Sequence, residues 1–176
     1  MSLERSLFMP TSTFENLKPE KKMRVTQALL KEFSNYPLNE AQVARIVKNA
    51  AIARGAFYKY FPNLTDAYRY LFEYALKQIH ADFKTHPTQD AGFLLEKMDR
   101  FIAQANSSSY FDLFKMHFAA NEILLHPEVS TKNLSPNEWV IFTLSHETLR
   151  EIFADYPHRK FYLQRFREVI TRLKEE

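Results

Sequence analysis

The 176 residues carry a net charge of +3, are 45% hydrophobic, and include no cysteine, two glycines and eight prolines. Without cysteine there is no disulfide framework, no thiolate metal site and no thiol chemistry. The longest apolar run, residues 139–144, is far short of the roughly 20 residues a membrane span needs, and Glu4 beside Arg5 stands where an export signal would turn apolar. The expectation is a soluble, cytoplasmic chain with no membrane partner. With only Gly55 and Gly92, loops of positive φ must be few, which favours helices joined by short proline-marked turns and an all-α fold.

Charge is unevenly spread. Residues 1–74 hold 11 Lys/Arg against 7 Asp/Glu, a surplus of +4, while the remainder holds 13 against 14, or −1. A surplus of this size is also what a solvated helix face produces, so it needs a motif beside it before it points to a polyanion.

The apolar spacing divides the chain into eight helical segments. Residues 1–17 lack sustained periodicity and read as a mobile or loosely docked arm. The first helix begins at Pro19, a favoured first-turn residue, buries Val25, Ala28, Leu29 and Phe33, and ends before Tyr36-Pro37. Asn39 with Gln42 reads as a capping box opening a second helix that buries Val43, Ile46, Val47 and Ala50. A short third helix covers Arg54 to Tyr60 and is stopped by Pro62. Asn63 with Asp66 caps a long fourth helix running to about Thr85, with Tyr68, Leu71, Phe72, Ala75, Ile79 and Phe83 as its stripe.

Beyond His86-Pro87, Leu94, Leu95, Met98, Phe101, Ile102 and Ala105 define a fifth helix. Ser109 with Asp112 caps a sixth, carrying Phe111, Phe114 and Phe118 to about Leu125. Ser135-Pro136-Asn137-Glu138 combines an N-cap serine, proline at the first position and glutamate at the third, and opens a seventh helix with Trp139, Phe142, Leu149, Ile152 and Phe153. Pro157 separates it from a last helix with Tyr162, Phe166, Val169, Ile170 and Leu173. The chain therefore divides into an arm at residues 1–18, a three-helix head at 19–64, and a helical body at 65–176.

Residues 46–62 are the informative stretch. Two short helices with a tight connection present the N-terminus of the second outward, where it can enter a DNA major groove while the first crosses the backbone. Ala53, Gly55 and Ala56 allow close approach, Arg54 offers a bidentate donor to guanine or phosphate, and Tyr58, Lys59 and Tyr60 can hold phosphate oxygens. Phe57 and Phe61 read as core. Arg45, Lys48, Arg54 and Lys59 are the cations of the unit, and Lys21, Lys22 and Arg24 read as solvated helix charges.

The same stretch resembles the DNA-binding signature of TetR-type transcriptional regulators, the TetR/AcrR family, in which Ile-Ala-x-x-Ala-Gly-Val-Ser-x-Gly-x-Leu-Tyr-x-His-Phe precedes a polar turn and a long connecting helix. The likeness extends over residues 9–71, including an opening, Met9-Pro-Thr-Ser-Thr-Phe-Glu-Asn-Leu17, similar to that of one subgroup. Four positions depart from it. Ala51 stands where the turn has glycine, Gln42 replaces a Ser/Thr at a phosphate-contacting position, Leu64 replaces a lysine that anchors the next helix to phosphate, and Pro37-Leu38 replaces a Gly-aromatic pair. The resemblance implies an all-α protein with a helix-turn-helix head joined by a long helix to a ligand-binding and dimerisation body. It also implies a homodimer built through the last two helices, a palindromic double-stranded DNA operator, and repression released by a small-molecule effector. The apolar stripes of the seventh and eighth helices independently ask for a partner.

Sixteen Phe and nine Tyr suggest that such an effector is apolar or aromatic. Candidate lining residues are Phe83, Phe101, Phe114, Phe118 and Trp139, with His80, His117, Asn121 and Glu122 as polar handles, and ordinary core packing as the competing account. His146-Glu147 lacks a second histidine at zinc-protease spacing, since Arg150 sits there, and neither a Glu-x-x-His pair nor a phosphate-cradling glycine loop occurs. No metal, cofactor or enzymatic activity is expected. Two other readings stay open: a helical ligand-binding or adaptor protein whose reader has degenerated, and a DNA-binding protein without an effector.

Overall fold

A computed structural model describes residues 10–79, 91–122, 124 and 131–175. Among the described residues every regular element is helical, and the chain divides into two compact units, Met1–Gln78 and Ile79–Glu176.

The first unit holds α1 (Ser12–Glu15), α2 (Pro19–Asn35), α3 (Val43–Ala50), α4 (Arg54–Tyr60) and α5 (Leu64–Gln78). Pro19 opens α2 as its position predicts, and the stripe Val25, Ala28, Leu29 and Phe33 is buried. Residues 10–17 differ from the loosely docked arm expected. Thr11 caps α1, and Phe14 is fully buried against Tyr60, Phe61 and Tyr70. So short a helical segment gives periodicity nothing to register, yet one aromatic side chain suffices to anchor it.

The start of α3 also moves. The helix begins at Val43, with Gln42 as an N-cap whose side chain makes no capping hydrogen bond, so the Asn39–Gln42 box does not form. Instead Glu32, from α2, accepts the Gln42 N–H at 2.7 Å. A buried carboxylate from another helix does what a local serine would do, and nothing within four residues announces it.

The link from α3 to α4 is tight because Ala51 adopts φ 50°, ψ 52°, the left-handed region, the only positive-φ residue other than glycine among the described residues. Its N–H donates to Lys48 O at 3.3 Å and that of Ile52 to Val47 O at 3.1 Å, the Schellman arrangement that usually employs glycine. Arg24 Nε donates to Ala50 O at 2.9 Å, closing the same helix end from α2. Asn63 caps α5 as expected: the Asp66 N–H donates to Asn63 Oδ1 at 2.9 Å, and Asn63 Nδ2 donates back to Asp66 Oδ2 at 3.0 Å. Ala67, Tyr68, Leu71 and Ala75 face the core. The expected extension of this helix to Thr85, with His80 and Phe83, lies outside the described residues.

The second unit holds α6 (Ala91–Asn106), α7 (Phe111–Met116), α8 (Pro136–Ala154) and α9 (Arg159–Glu175). The cap expected at Ser109 is absent: Tyr110 is the N-cap of α7 with no side-chain capping hydrogen bond, and it is Ser108 Oγ that accepts the Tyr110 N–H at 3.1 Å. Past Met116 the helix widens into a π turn, His117–Asn121, closed by Glu122 N–H to His117 O at 2.9 Å. The start of α8 is as the sequence spells it, with Pro136 in the first turn and a reciprocal Ser135–Glu138 capping box. Phe101, Phe114, Phe118 and Phe153, with Ile102, Leu149, Ile152, Phe166 and Ile170, form the core of this unit.

The left-handed Ala51 carries a steric cost that glycine would not. Ala51→Gly is expected to stabilise the protein by roughly 0.5–1 kcal/mol, because relief of the left-handed penalty exceeds the added chain entropy. Urea unfolding of the two forms measures this, and a destabilised Ala51→Gly would contradict the strain.

Candidate functional site

In α4 the chain separates what holds the helix from what it presents. Phe57 is fully buried, Tyr60 is 4% exposed, and Phe61 just beyond the helix is fully buried. Phe14, Phe57, Phe61 and Tyr70 stack beneath it at ring separations of 4.8 to 5.7 Å. On the opposite side Arg54, Gly55, Tyr58 and Lys59 are exposed, at the spacing that puts them on one face of a helix, and Ala56 is half-buried at its edge. A Cβ added at Gly55 would meet nothing within 4 Å, so the fold itself does not require glycine there. Ala53, the N-cap, is exposed and provides no side-chain acceptor, leaving the first N–H groups of α4 to solvent or to a ligand. Gln42 is exposed at the start of α3.

Two residues of the unit sit differently from the outer set. Tyr60 is turned inward and only 4% exposed; its ring lies 5.7 Å from that of Phe14, and Lys21 Nζ sits 5.9 Å from its centroid. It occupies the inner face of the helix, three residues on from the buried Phe57, and Tyr58, 47% exposed, takes the outer position. Arg45 is likewise removed from the free cations. Its Nε donates to both Glu32 oxygens at 2.9 and 3.0 Å, its Nη2 to Glu32 Oε1 at 2.6 Å and to Glu40 O at 2.9 Å, and its guanidinium lies 3.7 Å above the Tyr36 ring. The hydrogen bond to Glu32 raises its pKa further above the ordinary arginine value. The clue in the sequence is Glu32 itself, an acid between Leu29 and Phe33 on the buried stripe of α2, where an unpaired carboxylate would be costly. Lys48, Arg54 and Lys59 are exposed.

Residues 25–66, spanning most of α2 through the start of α5, match the family model described as bacterial regulatory proteins, tetR family. Over these residues the N-terminal head is similar to that of the TetR family. A TetR family transcriptional regulator from Chloroflexus aurantiacus J-10-fl shares the fold at TM-score 0.54 and 20% identity, with 95% of this chain and 97% of that one covered. A TetR transcriptional regulator from Rhodococcus sp. RHA1 is more distant, with TM-score 0.43 and 14% identity over 86% of this chain and 96% of its own. No curated protein matches the sequence.

The second unit brings three of the expected effector-lining aromatics together. Phe101 lies 5.2 Å from Phe114, and Phe118 stacks 5.1 Å from Phe153, which is itself 5.8 Å from Phe101. His117, 9% exposed, abuts this cluster with its ring 5.2 Å from Phe118. Trp139 does not join them: it is 51% exposed on the first turn of α8, off the face on which Ile141, Ser145, Thr148, Leu149 and Ile152 are buried. Phe83 lies outside the described residues.

Sequence reasoning did not see the polar seam beside this core. Arg150 of α8 donates from Nε to Phe118 O and from Nη2 to Glu122 Oε2, both at 3.1 Å, while His146 Nδ1 pairs with Glu122 Oε1. Burial pushes the Glu122 carboxyl up, but the His146 hydrogen bond and the neighbouring His146, His117 and Arg150 groups hold it below its ordinary value. Burial lowers the His117 imidazole to about 4, with His146 adding to the effect against Glu122.

That shift has a direction in pH. The unfolded chain takes up a proton at His117 near pH 6.5, whereas the native protein does so only near 4, so stability is present above 6.5 and is lost as pH falls through this window. The loss is about 3 kcal/mol at the low end. His117→Gln is expected to flatten urea-unfolding stability between pH 6.5 and 4 relative to wild type; parallel pH profiles would contradict the buried neutral imidazole.

Proposed function

We propose that this chain is a sequence-specific DNA-binding transcriptional regulator whose reader is the outer face of α4. The observation that carries the reading is the division in that helix: Arg54, Gly55, Tyr58 and Lys59 are exposed together while Phe57, Tyr60 and Phe61 hold the helix from beneath. Arg54 suits bidentate contact to a guanine edge or a phosphate, Gly55 and Ala56 admit the backbone close to the groove, and Tyr58 and Lys59 suit phosphate oxygens. Gln42 and Ala53, at the starts of α3 and α4, are positioned to offer a side-chain amide and backbone N–H groups to the same duplex.

In this reading two copies join through α8 and α9 as a homodimer. Support comes from large apolar side chains left exposed there, Trp139 at 51%, Phe161 at 62% and Val169 at 38%. A twofold pair of heads matches a palindromic operator with half-sites one DNA turn apart, roughly 34–36 Å. The body takes a small apolar or aromatic effector near Phe101, Phe114 and Phe118, with His117, Asn121 or Glu122 orienting it, and effector binding releases the operator and lifts repression. The alternative, a helical ligand-binding or adaptor protein with a degenerate reader, draws on the engagement of Arg45 by Glu32 and on Leu64 in place of a lysine.

Selection of bound duplexes from a random pool tests the reading. It is expected to return an inverted repeat, and Arg54→Ala is expected to weaken binding about tenfold or more and relax preference at one position of each half-site. A pool that stays random favours the adaptor alternative, and Arg54→Ala binding equal to wild type would show that the assigned reader is wrong.

A further inference from the structure

α4 is a poor helix on its own terms. It has seven residues, an N-cap without a side-chain acceptor, and a strained residue at the turn before it. Helices this short are unstable unless tertiary contacts hold them. Its C-terminal carbonyls need partners as well. The Phe57 carbonyl accepts the Phe61 N–H at 2.9 Å, but the carbonyls of Lys59 and Tyr60 are taken from outside the helix. Thr11 Oγ1 donates to Lys59 O at 2.5 Å, and the Thr11 N–H donates to Tyr60 O at 3.1 Å. One residue, 48 positions upstream of Lys59, closes the last turn of the helix.

The same threonine is fixed in turn. Its Oγ1 accepts the Phe14 N–H at 3.4 Å as the cap of α1, and Phe14 inserts between the rings of Tyr60, Phe61 and Tyr70. Tyr70 belongs to α5, and its hydroxyl lies 3.0 Å from Thr26 Oγ1 on α2. Glu15, at the end of α1, forms an ion pair with Lys22 of α2, whose Nζ also lies 5.4 Å from the Phe14 ring. The segment thus bridges the end of α4 to the two helices that frame the head.

We infer that residues 11–15 are a positioning strap for the DNA reader: Thr11 and Phe14 fix the last turn of α4 and thereby the direction in which Arg54 and Tyr58 point. This rests on the DNA-binding reading proposed above. The strap itself presents no base-reading group; it acts through α4. It therefore governs specific recognition, which needs side chains aimed at base edges, and leaves non-specific attraction to phosphates almost untouched.

The test uses the full chain and the duplex selected from a random pool. Thr11→Val keeps the N–H to Tyr60 but removes the hydroxyl, and Thr11→Ser restores it. Thr11→Val is expected to weaken binding to the selected duplex by about five- to tenfold. Its affinity for a scrambled duplex and its salt slope should stay at wild-type values, Thr11→Ser should bind as wild type, and amide hydrogen exchange in α4 should accelerate in Thr11→Val alone. Phe14→Leu, which keeps an apolar plug, should lose selected-duplex affinity in the same direction without unfolding. Wild-type affinity in Thr11→Val, or an equal loss on selected and scrambled duplexes, would overturn the strap. Failure of the wild-type protein itself to enrich any duplex would instead remove the DNA-binding reading; unaltered α4 exchange in Thr11→Val would remove the clamp independently of DNA.

Discussion

The head depends on one buried carboxylate. Glu32 lies 2% exposed on the inner face of α2, and its oxygens receive the Gln42 N–H and the Arg45 guanidinium. With Arg24 closing the other end of α3 through Ala50 O, α2 grips α3 at both termini by charge-assisted hydrogen bonds. Removing one member of the pair would strand the other, so Glu32 and Arg45 form a unit best replaced together, with an acceptor kept at position 32 for the Gln42 N–H. Because α3 is held on α2 at both ends, the turn after it delivers α4 in one direction.

That grip separates the roles of neighbouring residues. α4 is held from below by aromatic rings and at its far end by Thr11, so its outer face carries residues the fold does not need. Gly55 has open space where a side chain would go, and Ala53 offers no cap. Both choices weaken an isolated helix and both clear the way for a close surface. Local stability is low on this face, and packing elsewhere offsets it.

Much of this was legible in the sequence where the signal is local. Pro19, the Asn63–Asp66 cap and the Ser135–Glu138 box mark helix starts through residues within one turn of each other, and the structure has them. Arg54, Gly55, Tyr58 and Lys59 were singled out from the two-helix motif together with Tyr60, which the structure turns inward. Signals that act across the chain were not. Glu32 replaces the expected Asn39 cap, Phe14 and Thr11 convert an apparent arm into a docked segment, and Arg45 and Tyr60 have inward partners that no local pattern announces. The π turn at His117–Asn121, stapled by Arg150, has no local sequence mark because the side chain that holds its carbonyl lies on another helix.

The salt dependence of binding to the selected duplex tests most directly whether α4, and not Arg45 of α3, meets DNA. Three proteins are compared: wild type, Lys59→Ala, and the paired replacement Glu32→Gln with Arg45→Met, in which the amide oxygen at position 32 still accepts the Gln42 N–H. The account predicts that Lys59→Ala reduces the slope of log K against log salt by about 0.9 per protomer, one phosphate contact each, while the paired replacement keeps the wild-type slope. A reduced slope in the paired replacement with none in Lys59→Ala would contradict it.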